Sequence, residues 1–259
     1  MMGSSQVTNG VAGGVSQGHT NICGITTTSC TPTAFGWDEL PCRPASLERL
    51  IPYCLWGLLN NAGIIGPPAP TDWLDIEHFR QPIELNLIVL INVTINMLPL
   101  IKKAKGRIIN VSSIGGCLAF SGRGYFPSKF GVEGFNYSLR RDMKAFGVKV
   151  CCIQPGLFKT PLTNPAKIMK EKEFIWNMLL SDIIKQYGEE YFQKDAEKKE
   201  KLTKICLNKD ISPVAQCLDH ALTGLHPRAH YVVLQDAKLL WNPLSRMPAA
   251  EQGAQFEKA

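Results

Sequence analysis

A parallel crossover unit is written into residues 106–156, and it constrains this chain more than any other feature. Gly106-Arg-Ile-Ile-Asn-Val-Ser-Ser113 reads as a short buried strand that ends in two serines, and Gly115 and Gly116 follow it. The next segment, Phe126 to Phe146, reads as a helix: Pro127 lies in its first turn, where a missing N–H costs little, and Gly147 supplies its stop. Val148-Lys-Val-Cys-Cys-Ile153 is another buried strand, ending at Pro155-Gly156. Strand, helix, strand in this order makes a right-handed crossover whose chemistry lies at the carboxyl ends of the strands. The fold class expected is α/β, with a Rossmann-like doubly wound parallel sheet.

Within that unit, Tyr125 and Lys129 stand four residues apart at the start of the helix, with Ser112 and Ser113 upstream. A phenol has a pKa of about 10 and is a poor base alone. A lysine one helical turn away places an ammonium beside it and favours the phenolate, so the pair works as one acid/base group. A serine hydroxyl from the preceding strand can hold a substrate oxygen against the phenol. Tyrosine and lysine at this spacing usually mark only a solvated helix face; the strand, serines and glycines around them change the reading.

These residues resemble the short-chain dehydrogenase/reductase family over roughly Leu55 to Pro248. Asn60-Asn61-Ala62-Gly63 matches the family's N-N-A-G at the end of its fourth strand, and Asn86 in Glu84-Leu-Asn-Leu matches the helix asparagine of the proton relay. Ser113, Tyr125 and Lys129 match the other catalytic positions, and Pro155-Gly156 with Thr160 resembles the P-G-x-x-x-T element that meets the nicotinamide. The stretches from Gly124 to Phe135, Ser138 to Val148 and Pro155 to Thr160, with the tail Trp241 to Ala250, are most similar to the retinol and 3α-hydroxysteroid dehydrogenase branch. The resemblance implies a catalytic set of Ser113, Tyr125, Lys129 and Asn86. It implies cofactor contacts from Asn60, Ala62, Gly63, Tyr125, Lys129, Pro155, Gly156 and Thr160. The cofactor implied is NAD, with NADP left open, and the partner a lipophilic small-molecule alcohol or ketone. Homodimers, contact with a membrane surface and location at the endoplasmic reticulum membrane fit the same resemblance, with a cytoplasmic location if the branch's anchor is absent.

Half of the family pattern is not legible. The family fold opens with a strand and a T-G-x-x-x-G-x-G turn whose amides hold the pyrophosphate. Before Leu55 only Thr8-Asn-Gly-Val-Ala-Gly-Gly-Val-Ser-Gln-Gly18 is glycine-rich, with the wrong spacing and no apolar strand ahead of it. Residues 1–54 are therefore expected to be an irregular or disordered segment in place of the first βα units, and 55–259 the catalytic part of an N-terminally incomplete domain. The segment lacks the pattern of a signal peptide. A competing expectation follows: a truncated, catalytically inactive family member that at most binds partners or lipophilic ligands.

With 259 residues and 45% apolar content the chain can bury a core. The net charge of +6 is concentrated between Lys102 and Lys149. It reads first as solvated surface, then as a membrane-facing patch; no nucleic-acid motif accompanies it. Nine cysteines without C-x-x-C pairs suggest free thiols, and Cys151 and Cys152 read as packing in a core strand. The five histidines show no ligand spacing, so no metal is predicted. Ile83 to Ile101 is long enough for a membrane span, but Asn86, Asn92, Asn96 and Pro99 interrupt it, and a buried helix is expected. Substrate choice is expected in Leu157 to Asp219, where Ile168, Phe174, Ile175, Trp176, Met178, Leu179, Leu180, Ile183 and Ile184 read equally as a lipophilic lid or as core. His230 to Leu234 reads as the last strand and Asp236 to Met247 as a C-terminal cap.

Overall fold

Short apolar strands, three of the four carrying β-branched residues, set the architecture of the computed structural model, which describes residues 54–119, 123–234, 237 and 242–247. Four strands, β1 (Gly57–Asn60), β2 (Arg107–Val111), β3 (Lys149–Pro155) and β4 (His230–Val233), form one parallel sheet in the order β1-β2-β3-β4. Leu59 pairs with Ile109, Ile109 with Cys151, and Cys152 with His230. The expected segment 1–54 lies outside the described residues except for Cys54, and among those residues β1 forms one edge of the sheet.

The period of two in β2 and β3 sorts their side chains onto two faces, both covered. On one face Leu58, Ile108 and Val150 pack with Leu100, Ile101, Leu139 and Met143 from α2 (Val89–Ala104) and α3 (Tyr125–Lys144). On the other, Ile109, Cys151, Ile153, Tyr231 and Val233 pack with Ala221 of α7 (Ser212–Thr223). Arg107 locks that second layer: its guanidinium donates to Ala221 O at 2.8 Å and Gly224 O at 2.7 Å, capping the carboxyl end of α7 with a cation.

The crossover helix α3 begins at Tyr125 itself and ends at Lys144, with Gly147 turning the chain at a φ of 71°. That left-handed turn suits glycine because no Cβ is present to clash. Ahead of it, α1 (Ile76–Ile83) is capped by the Asp75 carboxylate, which accepts from Glu77 N and His78 N. It passes through a π-helical turn, Glu84–Ile88, directly into α2. The extra residue in that turn rotates Asn86 fully into the interior. The whole run Ile76–Ala104 is long and apolar enough to cross a membrane by length and composition. Asn86, Leu90, Thr94, Leu100 and Ile101 are buried inside the fold, but only 22% of the run's most apolar stretch is, and Ile76 and Ile95 are exposed, so the run is less buried than expected.

The insertion between β3 and β4 folds into α4 (Pro165–Met178), α5 (Ser181–Tyr187) and α6 (Glu189–Cys206). Its apolar residues divide between the two expected roles. Ile175, Trp176 and Phe192 are buried with Ala69 and Trp73, the two indoles 4.9 Å apart, whereas Phe174, Met178 and Leu180 are exposed. Lys172 is fully buried beneath them, paired with Asp195 at 2.7 Å and donating to Phe192 O at 3.1 Å. Of the expected C-terminal cap, Ala237 and Leu244 are buried against Ile114 and Leu118; the remainder, apart from 242–247, lies outside the described residues.

Candidate active site

All four strands run parallel, so Asn60, Ser112-Ser113, Pro155-Gly156 and the end of β4 emerge at one edge of the sheet. Ser113 follows β2 in an extended conformation and caps the short 3-10 turn Ile114–Gly116, its Oγ accepting from Gly115 N at 3.1 Å. The same hydroxyl lies close enough to the phenol of Tyr125, which opens α3, to favour its ionised form.

Lys129 lies one turn on and is buried, its Nζ 5.8 Å from the Tyr125 ring centre and donating to Val111 O at 2.9 Å. Burial pushes its ammonium down to about 8, partly offset by Cys152 and Glu133. Burial also raises the Tyr125 phenol, against the opposing effects of the Ser113 hydroxyl and the Arg123 guanidinium. The fold therefore keeps the phenol protonated and weakens the ammonium, and the charge that favours the phenolate is the Arg123 guanidinium and not the Lys129 ammonium expected from the spacing.

Asn86 is fully buried and makes three hydrogen bonds. Its Oδ1 accepts from Ile64 N at 2.8 Å, and its Nδ2 donates to Ile64 O and to Ser128 Oγ, both at 2.9 Å. Both backbone groups of Ile64 are held, which fixes the Asn60–Gly63 turn next to α3. The backbone comes so close at Gly63 that a Cβ there would stand 3.2 Å from Asn86 Oδ1 and 3.7 Å from Lys129 Nζ. Ala62 is exposed at the rim. Asn60 turns inward instead: its Nδ2 donates to Thr94 Oγ1 and Asn110 Oδ1, and Asn110 passes the chain to Asn136.

On the far side, Gly156 is packed so closely that a Cβ would meet Leu234 at 3.2 Å and Ala237 at 3.3 Å. Thr160 begins the short turn Pro161–Thr163, its N–H donating to Thr163 Oγ1 at 2.9 Å. A cleft of about 470 Å³ lies between Ile64-Ile65-Gly66-Pro67, His78 and Gln81 on one side and Leu162, Lys167, Ile168, Lys170, Glu171, Phe174 and Ile175 on the other, so that its walls mix apolar and charged side chains.

Two participants escape a reading of the sequence. Arg123, two residues before Tyr125, is desolvated to about 10 and interacts with the phenol and with the lid acids Glu171 and Asp195. Glu133, one turn beyond Lys129, is buried and hydrogen-bonded by Gln154 Nε2 and His230. The i, i+4 spacing of Lys129 and Glu133 is a signal visible in the sequence, whereas Cys152, Gln154 and His230 join it only through the fold.

The profile of the family described as short chain dehydrogenase matches residues 48–171. Human dehydrogenase/reductase SDR family member 9 is 61% identical over 198 residues, covering 76% of this chain and 62% of that protein. The chain thus spans about three-fifths of that relative's length. Mouse retinol dehydrogenase 16 is 42% identical over 229 residues, covering 88% of this chain and 69% of its own. Among solved structures, a short chain dehydrogenase from Burkholderia cenocepacia J2315, determined in complex with NADP, superposes with a TM-score of 0.55 at 19% identity, covering 81% of this chain and 71% of that one. A short-chain dehydrogenase from Streptomyces avermitilis gives 0.57 at 23% identity, covering 82% and 72%. These two likenesses establish the fold.

Proposed function

Because this chain belongs to the short-chain dehydrogenase/reductase family, we propose that it oxidises a lipophilic primary or secondary alcohol, of the retinol or 3α-hydroxysteroid class, with a nicotinamide cofactor. The observation that carries this reading is the conjunction of Ser113, Tyr125 and Lys129 at the carboxyl edge of a parallel sheet. The resemblance to retinol dehydrogenase 16 supports the substrate class, and the apolar residues of the cleft beside Ile64, among them Ile168 and Phe174, are compatible with it.

The donor set fits the nicotinamide end of such a cofactor. Hydroxyls of Tyr125 and Thr160 and the ammonium of Lys129 suit a ribose and a carboxamide, and the close approach at Gly63 brings backbone to the same edge. A bound nicotinamide supplies the hydride acceptor. As the phenolate, Tyr125 Oη would take the hydroxyl proton of the alcohol, while the carbinol hydrogen would go to the nicotinamide as hydride. Ser113 Oγ, already within reach of the phenol, orients the substrate oxygen. Lys129, held by Val111 O, would hold the nicotinamide ribose, and Asn86 acts by bracing Ile64 and the first turn of α3. Asn60, with its amide engaged by Thr94 and Asn110, acts by supporting the turn that carries Ala62 and Gly63. Pro155 and Gly156 shape the opposite wall.

The choice of NAD over NADP, location at the endoplasmic reticulum membrane and a homodimeric state are parts of the same proposal. Ile95, Phe130 and Tyr137, exposed on α2 and α3, supply apolar surface for a second copy. The division into a segment 1–54 and a catalytic part 55–259 belongs here too. The test is to incubate the full chain with all-trans-retinol or a 3α-hydroxysteroid and each dinucleotide, following the absorbance of the reduced nicotinamide. Turnover that depends on Tyr125 is expected, and absence of turnover with both dinucleotides overturns the proposal. A cofactor-induced rise in melting temperature distinguishes NAD from NADP, since a ligand bound only by the folded state stabilises it.

A further inference from the structure

Glu133, Cys152 and His230 come from α3, β3 and β4, yet their donor atoms all lie within 4.8 Å of one another. Cys152 Sγ is 3.4 Å from Glu133 Oε1, and His230 Nε2 is 2.8 Å from Glu133 Oε2. Glu133 and Cys152 are buried, while the imidazole, stacked on Tyr137, is about one-third exposed and forms the solvent-side wall. Gln154 closes the inner side. It is 2% exposed and its Nε2 donates to Glu133 Oε1 at 3.3 Å, but its Oε1 is buried with no hydrogen-bond partner. A buried amide oxygen without a partner carries a desolvation cost until something electropositive meets it.

We propose that Glu133, Cys152 and His230 bind a zinc-class divalent cation, with Gln154 Oε1 completing a four-coordinate site. A thiolate and an imidazole select a borderline-soft cation over magnesium or calcium, and a carboxylate with a thiolate balances its two charges. Bonds of about 2.3 Å to sulfur and about 2.0–2.1 Å to nitrogen and oxygen place tetrahedral donors about 3.3–3.6 Å apart. The Cys152 Sγ separation of 3.4 Å from Glu133 Oε1 already meets this, whereas His230 Nε2 lies against the other oxygen, Oε2, so the carboxylate turns to present one oxygen to both as the cation displaces the proton between His230 and Glu133. Rotation of the Gln154 amide turns its unpartnered oxygen inward. The half-open imidazole edge provides the entry path. Binding ties α3 to β4 across 97 residues of sequence, a clip between the catalytic helix and the end of the sheet. Neighbours in sequence do not provide these ligands, so ligand spacing in the chain gives no sign of them.

The test uses the full chain and two probes, Zn²⁺ and Co²⁺, with metal content and spectra as readouts independent of dehydrogenase activity. After dialysis, about one zinc per chain is expected to remain, as a closed four-ligand site retains its metal. Cobalt should give thiolate-to-metal charge transfer and tetrahedral ligand-field bands. Cys152→Ser should abolish the charge transfer and His230→Ala should lower zinc affinity at least about 10-fold, the scale of losing one ligand contact, whereas Cys217→Ser, outside the cluster, should change neither. No retained zinc in the wild-type chain, or equal retention in Cys152→Ser and His230→Ala, overturns the proposal. Should the two variants fail to fold by circular dichroism, the wild-type cobalt spectrum decides: absence of thiolate charge transfer rejects the site.

Discussion

Asn86 Nδ2 donates to Ser128 Oγ at 2.9 Å, and Ser128 Oγ in turn donates to the carbonyl of Tyr125 at 2.6 Å. The π-helical turn in one helix is thereby fastened to the first turn of another, the one that carries the phenol and the ammonium. Through its two further bonds to Ile64, the same side chain also sets the turn after β1. A single buried amide fixes three pieces of backbone around the site.

Asn86→Ala is therefore expected to lower stability by about 2–4 kcal/mol, because Ile64 N–H and C=O lose their partners in a buried setting. Urea denaturation measures it. A change below about 0.5 kcal/mol, the scatter of a neutral surface substitution, would show that the bracing is dispensable.

Tyr125→Phe should reduce alcohol oxidation by at least about 10²-fold, the usual contribution of a positioned acid/base group. Stability should change little, since only the phenol oxygen is removed. Ser113→Ala should be less damaging than Lys129→Ala. The measurement is kcat/KM for each variant beside its melting temperature.

Lys129 provides a pH signature. Its ammonium falls from 10.5 in the unfolded chain to about 8 in the folded one, so the cost of burying it is fully present below pH 8. Between 8 and 10.5 the unfolded state binds more protons, and this residue's contribution to stability rises with pH by about 3 kcal/mol in all. Lys129→Met should abolish that contribution. The difference between wild-type and variant unfolding free energies, followed from pH 7 to 10.5, should show the slope; parallel curves would contradict it.

Two glycines in one neighbourhood should respond oppositely to alanine. At Gly116 a Cβ would stand 2.6 Å from Ser112 Oγ and 3.0 Å from Lys129 O, and the overpacking should cost about 1–3 kcal/mol. At Gly134, on α3, nothing lies within 4 Å, and the substitution should stabilise by about 0.5–1 kcal/mol through helix propensity. Thermal or urea melts of the two variants provide the comparison.

In the lid, Asp195→Asn leaves the fully buried Lys172 without its counter-charge and should cost about 3–5 kcal/mol, whereas Lys172→Met should be close to neutral. Limited proteolysis within α4 to α6 and denaturant melts read both. Equal losses from the two substitutions would show that the ammonium is valued for its bond to Phe192 O instead.

The sequence by itself determined the crossover unit, because apolar runs of strand length on either side of a capped helix admit few other folds. It also determined where Tyr125 and Lys129 lie: one helical turn apart, with Ser113 ending the strand before them, so local geometry suffices. The strand Lys149–Pro155 and the last strand at His230 were legible for the same reason. Only the tertiary structure decided what Asn60 and Asn86 do, since an asparagine can serve a ligand or a backbone equally well and its partners, Thr94 and Asn110 for one, Ile64 and Ser128 for the other, are 22 or more residues away. Nor does the sequence divide the lid: Trp176 turns inward against Trp73 while Phe174 faces outward, a choice made by the packing of α4 on a distant loop. The meeting of Glu133, Cys152 and His230 belongs to the same class. Parallel strand pairing and a crossover helix bring them together, and no pattern of neighbours along the chain encodes a contact that the sheet alone creates.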